Sequence, residues 1–132
     1  MKYLLLMHYT GGAGCDIPMT EWPPEDIAGH IAFQRALGEE LAATGELVGV
    51  EGLADPELAL IVTSDGTSPV VTDGPFPESK EFLAGYWMID VETRDRAIEI
   101  AAKASAAPGP AGVPIQTPIE VRPVMAVPAS QV

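Results

Sequence analysis

A chain of 132 residues with 47% hydrophobic side chains is the size of one domain and has the apolar mass for a core, whereas two domains would each be too small. Its 19 acidic residues against 7 basic ones give a formal net charge of −12 without any Lys/Arg cluster, which repels a phosphate backbone, excludes nucleic acid as an expected partner and reads as surface solubility. One cysteine, Cys15, and two histidines, His8 and His30, allow no internal disulfide and few transition-metal ligands, so no metal or cofactor is expected and a reducing, cytoplasmic setting fits best.

The first residues, MKYLLLMHY, are too short an apolar run to span a membrane and lack a small-residue cleavage site. They read as a buried strand, Lys2–Tyr9, with Tyr3, Leu5, Met7 and Tyr9 on one face and Leu4, Leu6 and His8 on the other. Both faces are apolar, so such a strand is covered on both sides. The glycine-rich stretch that follows lacks the spacing of a phosphate loop, and Gly11–Ile17 is expected to be a mobile surface connection. Cys15 within it has no neighbouring histidine or basic residue to activate a thiolate.

Pro23 and Pro24 open a helix whose N-terminal dipole is complemented by Glu25 and Asp26, and Gly45 closes it. Helical spacing puts Ile27, His30, Ile31, Phe33, Gln34, Leu37 and Leu41 in one apolar stripe, with His30 and Gln34 in its middle. Leu47–Leu53 reads as a second strand, and Leu58–Thr63 with Pro69–Thr72 as a hairpin turned by Ser64, Asp65 and Gly66. Phe82–Val91 is the next long strand, on which Tyr86 and Trp87 point to opposite faces. Thr93 caps a second helix running to about Ala104, and PGPAGVP is a loop. Ile119–Val127 is the last strand, where Pro123 argues for an edge position or a bulge, and residues 129–132 read as a flexible tail after a single domain over 1–128.

With the hairpin set aside as an insertion, the order is β-α-β-β-α-β, which a ferredoxin-like α+β sandwich satisfies. Both crossover helices then cover one face of the sheet, and the other apolar face needs a cover from outside the chain. A second copy of the same sheet is the simplest one, giving a homodimer.

The most distinctive stretch is Val71-Thr72-Asp73-Gly74-Pro75-Phe76-Pro77-Glu78-Ser79-Lys80-Glu81, a turn with a carboxylate at its head and an aromatic just after it. It closely resembles the DGPF-domain family, which is related to the YCII-like proteins. The resemblance extends through MKYLLLMHY, GELVGVEGL, GYWMIDV and IEVRPVM, nearly the whole chain. Two departures are Pro77, where the family has alanine after DGPF, and Ala84-Gly85, where it has a double glycine. The resemblance implies a ferredoxin-like subunit whose sheets pack face to face as a dimeric α/β barrel. It implies little about chemistry beyond a catalytic pair proposed for YCII-like relatives, a histidine on the first helix and a nearby aspartate, which correspond here to His30 and Asp73.

These residues frame the functional expectations. His30 would be a general acid/base held over the sheet, with Asp73 orienting or charging it; the alternative is a core histidine bonded to a backbone carbonyl or to Gln34. Gln34, Phe76 and Tyr86 are candidates for substrate binding, while Lys80 and Glu81 read as a solvated pair. The enzyme reading is cofactor-free proton transfer (isomerase, lyase or hydrolase chemistry) on a small molecule in a pocket between the first helix and the sheet. The alternative is a non-catalytic binding or regulatory module, associated with an alternative sigma factor as the family resemblance suggests.

Overall fold

The computed structural model of the protein describes residues 1–9, 19–74 and 82–126. Its strands are β1 (Lys2–Tyr9), β2 (Leu47–Gly52), β3 (Leu60–Ser64), β4 (Pro69–Asp73), β5 (Phe82–Asp90) and β6 (Ile119–Pro123), and its helices are α1 (Pro24–Ala43) and α2 (Arg94–Ser105). Four strands form one sheet in the order β2-β5-β1-β6, every pairing antiparallel, and β3 pairs with β4 in a separate two-stranded sheet. This α+β arrangement, with α1 linking β1 to β2 and α2 linking β5 to β6, is compatible with a ferredoxin-like fold.

The core lies between the helices and one face of the sheet. Tyr3 and Leu5 of β1 and Trp87 and Ile89 of β5 pack against Leu37 and Leu41 of α1 and Ala97, Ile100, Ala101 and Ala104 of α2. Leu5, Leu41, Ile89 and Ile100 are fully buried, each contributing about 1.5–3 kcal/mol of transfer free energy. Strand alternation explains the choice of side chains. Trp87 is 2% exposed on the helix side, whereas its neighbour Tyr86 is only half-buried on the other face. That second face carries an apolar centre of Leu4, Leu6 and Met88, flanked by His8, Glu51, Glu120 and Arg122 nearer the edges.

Local chemistry fixes the helix ends. Pro24 sits at the first position of α1, where a missing N–H is harmless, and Gly45 ends the helix at φ 80°. Gly45 N–H donates to the Ala42 carbonyl and Glu46 N–H to the Leu41 carbonyl, which satisfies two of the orphan carbonyls of the last turn. Thr93 Oγ1 accepts from Arg96 N–H at 3.1 Å and caps α2. The two helices are also clamped at their surface: Arg96 donates twice to the Glu46 carboxylate, at 2.9 Å each, and Lys103 reaches Glu40 at 2.8 Å. The hydrogen bonds from Arg96 first, and from Thr44 second, pull the Glu46 carboxyl down to about 2.

Element boundaries differ from the sequence expectation most at the start of β3 and the end of β6. Residues Pro56–Leu58 form a short 3-10 turn, so β3 begins at Leu60 rather than Leu58. The hairpin turn follows from Asp65, whose Oδ1 accepts from Thr67 and Ser68 N–H, with Gly66 at φ 94°. At the other end β6 ends at Pro123 rather than Val127, on the sheet edge where a proline is tolerated, and Val124 N–H still donates to the Lys2 carbonyl at 2.9 Å. The PGPAGVP stretch is a docked loop: Pro108 bridges to Pro114, and Ala111 N–H donates to Asp26 of α1 at 3.3 Å. No helix among the described residues is long and apolar enough to cross a membrane. The glycine-rich connection over 11–17 and the tail over 129–132 lie outside the described residues.

Candidate functional site

Helix α1 presents two different working faces. Taken at about 100° per residue, His30, Leu37 and Leu41 point together toward the core, while Ile31, Arg35, Gly38 and Ala42 centre roughly 110° further round. The first face holds the helix to the rest of the domain. His30 is 7% exposed, its Nδ1 donates to the Pro108 carbonyl at 2.9 Å, and its ring meets Trp22 edge-on with centroids 5.6 Å apart. A carbonyl can only accept, so the proton sits on Nδ1.

Asp73 is the last residue of β4, exposed and paired across the hairpin with Leu60. Among the described residues, no hydrogen bond or ion pair joins it to His30. Tyr86 lies on the sheet face away from the helices, beside Leu6 and Glu51. Of the substrate-binding candidates only Gln34 reaches the cavity described next, and Phe76, like Lys80 and Glu81, falls outside the described residues.

The second face of α1 forms one wall of a groove of about 470 Å³. Its opposite wall is Val50, Glu51 and Gly52 of β2, and Met7 and Trp87 make the floor. The register shift between Leu47 and Gly49 turns Val50 toward Trp87, so an apolar side chain from an edge strand lines the opening. Gln34, Arg35 and Glu39 stand at the rim, and among the described residues none of them makes a hydrogen bond or ion pair through its side chain. An apolar floor with a few free polar groups of both signs is the usual make-up of a small-molecule site. Sequence reasoning placed a pocket between the first helix and the sheet, but missed Arg35, Gly38, Val50 and Glu51. The available signal was Gly38, a glycine deep inside a 20-residue helix.

A third feature lies on the open sheet face, where His8 Nε2 is 3.5 Å from Glu120 and Glu120 also pairs with Arg122. Both His8 ring nitrogens are shielded from solvent, and among the described residues neither has a hydrogen-bond partner. This histidine and carboxylate, on the first and last strands of the chain, are brought together because β1 and β6 are neighbours in the sheet.

The family profile of the YCII-related domain matches residues 1–119. An uncharacterised protein of Rhizobium meliloti (strain 1021) is 29% identical over 80 residues, covering 61% of this chain and 64% of that protein's length. The match thus leaves more than a third of the relative outside it.

Proposed function

Starting from a chain that belongs to the YCII-related domain family, we propose that the protein binds a small, largely apolar molecule in the groove between α1 and the β2 edge, and that it does so as a homodimer. The observation that carries the reading is the groove itself: Met7, Ile31, Val50 and Trp87 offer apolar contact, and Gln34, Arg35 and Glu39 at its rim make no side-chain hydrogen bond or ion pair among the described residues. Volumes of this order suit a ligand of drug-like or metabolite size. Arg35 and the Glu39 carboxylate at the rim favour a ligand with a hydrogen-bonding or charged end over a pure hydrocarbon.

The test is a small-molecule screen read by two-dimensional NMR, with the Trp87 indole N–H as reporter. Binding in the groove shifts Trp87, Val50 and Gly52 together, and Ala42→Trp, which fills the opening from an exposed helix position, abolishes those shifts. Hits that perturb only the hairpin or the open sheet face would overturn the assignment.

Dimerisation rests on the second sheet face, where Leu4, Tyr86 and Met88 around the buried Leu6 keep apolar area partly in water. Light scattering at micromolar concentration should give twice the 13.9 kDa of one chain. An acid–base role for His30 with Asp73 is the alternative catalytic proposal. It requires the exposed hairpin end to meet a ring that already donates to Pro108, and the His30 variants considered below decide it.

A further inference from the structure

Glycine is the least favourable residue but proline in a helix interior, because it gives up the most backbone freedom and packs nothing. Helix α1 contains two, Gly29 and Gly38, and neither has a left-handed backbone that would require glycine. A Cβ built at Gly29 meets nothing within 4 Å, and one built at Gly38 meets only Cζ3 of Trp87, at 3.9 Å, an ordinary van der Waals contact. Packing therefore does not demand glycine at either place. What separates them is position, since Gly38 lines the groove above the Trp87 ring edge and Gly29 does not.

We infer that Gly38 is a specificity-determining residue, which leaves a methyl-sized hollow over the Trp87 edge so that a planar aromatic group of the ligand can lie on the groove floor. This rests on the groove's being the binding site. A flat ring laid against bare helix backbone and the edge of an indole makes an edge-to-face contact, which a puckered saturated ring of similar size cannot reproduce. The polar rim then faces the ring's substituent, with Gln34, Arg35 and Glu39 on the helix wall. An alanine at 38 fills the hollow from the helix wall and keeps the ring off the Trp87 edge.

The experiment compares wild type, Gly38→Ala and Gly29→Ala in thermal unfolding and in NMR titration with three probes: indole, 2-naphthol and cyclohexanol. Both alanine variants should unfold a few degrees higher, by roughly 2–5 °C, because each removes a helix-interior glycine without a clash. Wild type and Gly29→Ala should bind indole and 2-naphthol at the groove and prefer them to cyclohexanol, whereas Gly38→Ala should lose roughly ten-fold or more in affinity for the aromatic probes. Aromatic binding at the groove that Gly38→Ala leaves unchanged would overturn the role of Gly38 while the groove stands as the site. Absence of any groove shift with all three probes would overturn both. A Gly38→Ala protein that unfolds lower than wild type would show that packing demands the glycine, and would also overturn the inference.

Discussion

Replacing His30 separates a structural from a chemical role, because the residue has one clear job in the fold. Its Nδ1 donates to the Pro108 carbonyl at 2.9 Å and thereby ties the N-terminal half of α1 to the loop after α2. His30→Ala deletes the donor, leaves a part-buried carbonyl unpaired and empties the space beside Trp22. The first two effects cost about 1–3 kcal/mol, and loss of the ring contact adds about 0.5–1.5 kcal/mol. For a chain of this size each kcal/mol lowers the unfolding midpoint by roughly 3–6 °C, so a fall of about 5–25 °C is expected in a thermal melt. His30→Gln, which keeps a donor of similar reach, should recover part of it, while His30→Phe keeps the ring but not the donor. Amide exchange at Ala111 and Ile115 should speed up with the stability loss, since both hold the same loop in place. A His30→Ala protein that melts with wild type refutes the structural account. If it also loses turnover or ligand binding, the acid–base proposal with Asp73 gains what the structural one gives up.

Two further outcomes follow from the packing. The Glu46 carboxyl lies at about 2 in the folded protein against 4.5 when free, so its contribution is present above pH 4.5 and is lost as pH falls toward 2. Glu46→Gln should therefore flatten the acid limb of a stability-versus-pH curve across that window, and should cost about 1 kcal/mol at neutral pH, solvent screening limiting the gain from a surface pair. An unchanged acid limb would refute the assignment. At Gly85 an added Cβ would stand 2.8 Å from the Glu51 carbonyl and 3.0 Å from Met7; Gly85→Ala should cost about 1–3 kcal/mol by denaturant melts, whereas Gly49→Ala, where nothing lies within 4 Å, should not cause a clash. Equal losses at the two positions would show that the close approach of β2 to β5 is not what Gly85 provides.

Much of the fold was legible from local chemistry. Alternating apolar residues specified β1 and β5 and sent Trp87 and Tyr86 to opposite faces, and proline, glycine and threonine marked the ends of α1 and α2 where their backbone geometry allowed nothing else. The DGPF turn and its flanking strands carried the family. His30 was correctly placed in a buried stripe, because a 3.6-residue period is a property of the helix alone. Its partner was not legible. The Pro108 carbonyl is 78 positions away, and only the packing of the loop after α2 onto α1 brings it within 2.9 Å. The same holds for His8 and Glu120, which meet across a β1–β6 register that no spacing in the chain encodes. The groove depends on a register shift in β2 that turns Val50 over Trp87, and on a helix glycine that local propensity counts only as a cost. Sequence determines which face each side chain takes, since that follows from a single backbone period. Which distant faces meet is decided by the summed burial of all of them, and so belongs to the tertiary structure.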